Sequence, residues 1–189
     1  MKGTRWSSAG FTLIEGLVVL AIVGILAAWV VPNFRHSIIR SKLTTPVRDV
    51  ERLASVARLQ AVNAQRHFGM VFASQQPGND VVRIFEDANG DGAWDEESEK
   101  VVQTYELPAE VRFRNPGAGP AFPSAIVYAP GGALVGTGDP QVYFGDNRGN
   151  FMRLAFNHVT GQVRREKHVP GSSDEWLGPS REGEWTWLY

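Results

Sequence analysis

From Gly16 to Phe34 the chain runs for 19 residues without a charged side chain, and Leu, Val, Ile and Ala dominate the run. As a helix, Phe11 to Phe34 would span about 36 Å, enough to cross a hydrocarbon core of roughly 30 Å. A secretory signal would be shorter and would carry its small-residue cleavage site after the apolar run. Here the small residue, Gly10, comes first, behind a leader whose only charges are Lys2 and Arg5. Cutting after Gly10 would remove the basic leader and leave the apolar helix attached. The positive leader is expected on the cytoplasmic side, which puts the bulk of the chain on the opposite side.

Glu15 is the exception at the start of this run. A carboxylate costs about 2.5–3.5 kcal/mol at the middle of a membrane and less toward its edge, so it calls for a partner. The nearest candidate cation is an α-amino group freed at Phe11 by cleavage after Gly10. It could be the chain's own amine, one helical turn away, or that of a neighbouring subunit, which would set axial register in a helix array. The plain alternative is an interfacial Glu on an ordinary anchor.

Composition closes off several classes. The 189 residues contain no Cys, which removes disulfide scaffolds, Cys-ligated zinc, iron–sulfur clusters and thiol catalysis. A formal net charge of -1 argues against a globally basic nucleic-acid binder. His36, His67, His158 and His168 are scattered, and no HExxH, GxSxG or phosphate-binding loop is present. No catalytic residues are assigned, and the chain reads as a non-enzyme.

Beyond the apolar run the periodicity changes twice. Pro32 predicts a kink or break. From Arg35 to about Gln65 a second helical stretch follows, with Leu43, Val47, Val50, Leu53, Ala54, Ala57 and Ala61 forming one apolar stripe. Pro46 predicts a break or short loop near Thr44–Thr45. This stretch has seven basic and two acidic residues between Arg35 and Arg66, a net of +5. It reads as a solvated face or as a contact for anionic lipid headgroups or acidic neighbours. From Gly69 the period becomes two. Strands are predicted at Met70–Ala73, Val81–Phe85, Val101–Leu107, Val111–Phe113, Ala125–Tyr128, Val142–Phe144, Phe151–Phe156 and Gln162–Arg165, with Gly- and Asn-rich turns between them. The fold class is therefore α+β, with the amphipathic helix packed on one antiparallel sheet. Trp185-Thr186-Trp187-Leu188-Tyr189 predicts a final strand with an aromatic face, added to the sheet or packed against it, with a partner-binding surface as the alternative.

Gly10-Phe11-Thr12-Leu13-Ile14-Glu15 resembles the class III prepilin signal shared by type IV pilins and type II secretion pseudopilins. That resemblance implies a prepilin peptidase that cuts between Gly10 and Phe11 and methylates the new Phe11 amine. It also implies assembly through Glu15 and Pro32, with other pilin or pseudopilin subunits and an inner-membrane assembly platform as partners. Gly16 departs from the usual larger apolar residue. Further on, Ala57-Arg58 through Arg66 and Val71, the Phe85–Gly92 segment, Ile126–Gly132 and Gly161–Arg164 resemble the GspH/FimT branch. The implied organisation is a cleaved leader (1–10), a transmembrane and filament-core helix (11–34), an amphipathic helix (35–68), a β-sheet domain (69–168) and an aromatic extension (169–189). The implied protein is a minor pseudopilin of the GspH type in the inner membrane with a periplasmic domain, or alternatively a FimT/FimU-like minor pilin of a type IV pilus.

Two local patterns suggest ligands. Asp87, Asn89, Asp91 and Asp95 occupy positions 1, 3, 5 and 9 of a calcium-type loop with Gly92 at the sharp turn, but Ser98 stands at the twelfth position. Eight acidic residues and one basic lie between Asp80 and Glu99. The favoured reading is a solvated acidic hairpin without a cofactor, and Ca²⁺ on those four residues is the alternative. Some FimT-like proteins bind DNA through arginines in a Gly-Arg-x-Arg segment. Here Gln162 replaces the first Arg, while Arg164, Arg165 and Lys167 remain. Nucleic acid is accordingly not the expected partner.

Overall fold

The computed structural model describes residues 12–75 and 77–188, and the side chains of these apart from residues 29–37. The chain divides into two compact units, 1–39 and 40–189. In the first, the described residues after Thr12 belong to the start of helix α1 (Leu13–Ala64), and the apolar side chains from Leu13 to Leu26 are exposed.

The second unit contains the rest of α1 and two antiparallel sheets. The first sheet has the order β3-β2-β1-β5, from β1 (His67–Ala73), β2 (Val81–Asp87), β3 (Lys100–Glu106) and β5 (Ala125–Tyr128). The second has the order β4-β6-β7-β8-β9, from β4 (Val111–Phe113), β6 (Gln141–Asp146), β7 (Phe151–Phe156), β8 (Val163–His168) and β9 (Trp176–Leu177). The α+β class holds, but the expected single sheet is two. The chain leaves the first sheet after β3, starts the second with β4, and returns to the first for β5. Asp80 helps join the two. It is fully buried, and it accepts hydrogen bonds from Ser74 Oγ (3.0 Å), Arg112 Nη1 (3.1 Å) and the Phe113 backbone N–H (2.7 Å).

All seven residues of the predicted helical stripe are buried and share one core with Met70, Ile84, Tyr128, Phe144 and Leu154. The stripe forms because Leu43, Val47 and Val50, then Ala54, Ala57 and Ala61, fall on one face of a 3.6-residue period. Small residues toward the end let the helix approach the sheets closely.

Neither proline interrupts α1, so the break or short loop expected near Thr44–Thr45 is absent. Pro46 lies inside α1 and is itself buried between Leu43 and Val47. Thr44 Oγ1 donates to the Arg40 carbonyl at 2.7 Å in the turn before it, whereas the carbonyl that loses its helical donor to Pro46 is that of Lys42. Burial of the stripe outweighs the lost N–H, because tertiary packing overrides propensity. Pro32 also lies within α1.

The expected strand at 185–189 does not form over the described residues 185–188, and Tyr189 lies outside them. A 3₁₀ segment (Pro179–Glu184) leads into an extended tail whose Trp185 and Trp187 enter the core. Asn150 takes the place of a neighbouring strand: its Oδ1 accepts from Leu188 N–H (2.7 Å) and its Nδ2 donates to the Leu188 carbonyl (2.9 Å). The aromatic alternation therefore does fill the core, through side chains rather than through a backbone ladder.

Candidate functional site

Three regions carry the predicted residues. The first is the start of α1. Gly10 and Phe11 lie outside the described residues. Thr12 precedes the first helical residue, and its Oγ1 accepts from the Glu15 backbone N–H at 3.3 Å. Thr12-Leu13-Ile14-Glu15 thus has the spacing of a capping box. Glu15 sits in the first helical turn, where a carboxylate also complements the helix dipole. The Thr-x-x-Glu signature is readable from sequence and adds a local reason for a carboxylate there, beside the intermolecular one. Leu13, Ile14 and Leu17 are 84%, 71% and 59% exposed, and Leu20, Ile25 and Leu26 are also exposed. Among the described residues no helix is long and apolar enough to cross a membrane.

The second region is the loop between β2 and β3. Trp94 anchors it, because its ring packs 4.8 Å from Phe85 on the outer face of the first sheet, in a small cluster with Val71 and Val127. Gly69 makes room there, since a methyl group at that position would overlap the Phe85 ring. Gly90 and Gly92 adopt φ of +74° and +77°, the left-handed region. Asp87 ends β2, is buried, and accepts from the backbone N–H groups of Gly90 (2.7 Å) and Gly92 (3.0 Å). Asn89 and Asp91 are exposed and bond each other: Asn89 Nδ2 donates to Asp91 Oδ2 at 3.0 Å. Asp95 does not join them. Its carboxylate accepts from Glu97 N–H (3.1 Å) and Ser98 Oγ (2.7 Å), which lower its pKa, Ser98 most. Glu99 takes the place next to Asp87 and Asp91, and one carboxylate oxygen of each of the three lies within 4.8 Å of the others. Burial raises the Glu99 pKa, and the Asp87 and Asp91 carboxylates raise it further. Asp87 and Asp91 therefore lie together with Glu99, which was not among the predicted oxygens, while Asn89 is a hydrogen-bond partner of Asp91 and Asp95 stands apart.

The third region is β8. Period-two alternation separates the three predicted cations. Arg164 is exposed on the same face as Glu166, 3.6 Å away. Arg165 points the other way and pairs with Glu51 of α1 at 2.5 Å. Lys167, on the Arg165 side, is 1% exposed. Its ammonium donates to the His168 carbonyl (2.9 Å) and lies 5.0 Å from the centre of the Trp187 ring. Burial pulls its pKa down to about 8. These residues do not form one basic patch. Arg165 joins Arg48, Arg52 and Arg58 of α1 in lining a groove of about 720 Å³, with Glu51 and Gln162. Arg58 is fixed there by donating Nε to the Gly132 carbonyl at 2.9 Å. The basic excess of the helix and the basic end of β8, separate in the sequence, meet in this groove.

Residues 7–31 match the prokaryotic N-terminal methylation motif. Two fimbrial proteins of Pseudomonas aeruginosa are each 44% identical to the chain over 48 residues, 25% of this chain and 31% of each relative. The chain thus spans about a third of the length of the curated relatives it matches. No solved structure matches it. The methylation motif and the fimbrial similarity both fall at the start of the chain, on a helix with exposed apolar side chains, and there the chain is similar to type IV pilins.

Proposed function

We propose that this chain is a non-enzymatic subunit of a pilus-like filament and, within that class, a GspH-like minor pseudopilin of a type II secretion system. The observation that carries the filament reading is the exposed apolar row from Leu13 to Leu26 in a chain bearing the methylation motif. Exposed apolar surface on this scale calls for a bilayer or for neighbouring helices. The apolar run anchors the precursor in the inner membrane, with the sheet unit on the periplasmic side. A prepilin peptidase cuts between Gly10 and Phe11 and methylates the new amine. Subunits then exchange lipid for the helices of their neighbours at the assembly platform. Glu15 pairs with the Phe11 amine of an adjacent subunit, which removes the cost of a lone carboxylate in an apolar core. The arginine-lined groove offers donors to acidic surfaces on neighbouring subunits.

A natural absence of cysteine makes the filament reading directly testable. Leu17→Cys introduces a single thiol on the exposed row. Oxidation in cells should link it to a cysteine at the equivalent depth of a co-expressed pilin, in a complex that depends on Glu15. A monomer under every oxidising condition would contradict the reading. A second reading, a FimT/FimU-like minor pilin of a type IV pilus, is favoured by the name of the relatives, which are fimbrial proteins. Deleting the gene separates the two. Lost protein secretion with surface fibres intact supports the pseudopilin, and lost fibres with secretion intact supports the pilin.

A further inference from the structure

We propose that Asp87, Asp91 and Glu99 hold one calcium ion at the base of the β2–β3 loop. This inference is independent of the filament reading. The first ground is geometric. Oxygens bound to Ca²⁺ lie about 2.3–2.6 Å from it, so two ligands of one ion are at most about 5.2 Å apart. One oxygen from each of the three carboxylates meets that limit against both others.

The second ground is an unsatisfied group. Glu99 is 8% exposed, and its Oε1 has no hydrogen-bond partner, although Oε2 accepts from Asp95 N–H at 3.0 Å. A buried carboxylate oxygen without a donor is costly, and it becomes more so beside two further carboxylates. A divalent cation supplies the missing partner and relieves the crowding together. The oxygens of Asp87 and Asp91 that accept loop N–H groups keep a second lone pair for a metal. Exposed Asp91 leaves one side of the ion open to water, which suits the six to eight oxygens that Ca²⁺ takes.

This set differs from the one that the loop pattern names. Asn89 is spent on Asp91, and Asp95 on Glu97 and Ser98. The ligand missing at the twelfth position is supplied by the thirteenth residue, Glu99. Asp87 closes β2 and Glu99 immediately precedes β3, so the ion would tie the two ends of the loop together. It would thereby fix the start of β3, an edge strand with exposed Val101 and Val102.

The test uses the full chain in detergent micelles, stripped with a chelator and titrated calorimetrically with CaCl₂. One saturable site with Kd of about 1 mM or tighter is expected, the range of extracellular calcium modules. Asp91→Asn and Glu99→Gln should each weaken binding at least about tenfold, whereas Asn89→Ala and Asp95→Asn should stay within about threefold. Mg²⁺ should bind at least about tenfold more weakly, since it demands tighter octahedral geometry. Glu99→Gln should also melt higher than the parent when both are metal-free, because it removes one of the crowded charges. Asp91 is exposed, so its variant folds even if that of Glu99 does not. No saturable heat up to about 10 mM Ca²⁺, unchanged affinity in Asp91→Asn, a loss in Asp95→Asn equal to that in Asp91→Asn, or equal affinity for Mg²⁺ would each overturn the assignment.

Discussion

Leu17 and Leu43 belong to the same helix and to the same residue type, yet Leu17 is 59% exposed and Leu43 is fully buried. The contrast extends to their neighbours. Val18, Leu20, Ile22 and Leu26 are exposed, while Val47, Val50 and Leu53 share one core with Met70, Ile84 and Leu154. An apolar residue inside a core earns its place through folding. An apolar residue that stays exposed in the folded chain has to be explained by something outside the chain. One helix thus carries two separate kinds of surface: the stripe within residues 43–61 is buried in the domain core, and the start of the helix, on the proposed function, is what meets other subunits.

Truncating each region tests this division. Leu43→Ala removes buried methyl groups from a packed core and should cost about 3 kcal/mol, within the usual 2–5 for such sites. In thermal unfolding that is a fall of about 10 °C for a chain of this size. A fall of under about 2 °C would mean the helix is not packed as described.

The next effect in size is an increase. Lys167 is buried among core residues, and its pKa of about 8 lies below the ordinary 10.5 because burial penalises the ammonium, partly offset by the Asp146 carboxylate. Below pH 8 the folded chain holds a buried charge that costs about 3 kcal/mol. Between pH 8 and 10.5 the unfolded chain binds more protons, so stability should rise with pH. Burial raises the Tyr105 pKa to about 12 and raises that of Tyr128 as well. Above about pH 10 the unfolded chain loses those phenolic protons first, and stability should fall again. Lys167→Met should stabilise the chain at pH 7 by about 2 kcal/mol and abolish the rise between pH 8 and 10. Urea titrations across that range check the sign, and a parent whose stability falls from pH 8 to 10 contradicts it.

The smallest effect is expected at the exposed end. Leu17→Ala should change the unfolding free energy of the sheet unit by less than about 0.5 kcal/mol, as surface substitutions do. A loss comparable to that of Leu43→Ala would erase the distinction between the two regions.

The sequence made much of this legible, for reasons that differ by region. Period 3.6 identified the buried stripe because seven apolar residues on one face leave little alternative. Pro46 was misleading because a local rule cannot weigh the packing of Leu43 and Val47 on either side. The two sheets are linked by Asp80, which accepts from the Phe113 N–H, a contact across 33 residues that no short-range pattern reports. The alternation in the tail correctly marked Trp185 and Trp187 as inward-facing. It could not reveal that the Asn150 side chain replaces a partner strand. On β8 the same alternation already separates Arg164 from Arg165 and Lys167, and it could have shown that these cations do not make one surface. In the acidic loop, composition exposed the carboxylate excess, but Glu99 lies one residue outside the twelve-residue frame. Only its burial beside Asp87 brings it into the cluster.

The central claim is that the apolar start of α1 is kept for assembly after its leader is removed. Intact-mass measurement of the chain extracted from its native membrane tests this most directly. A polypeptide lacking residues 1–10 and carrying one additional methyl group at Phe11 is the predicted result. A polypeptide still beginning at Met1, or one cut beyond Phe34 so that the apolar helix is lost, would contradict the account.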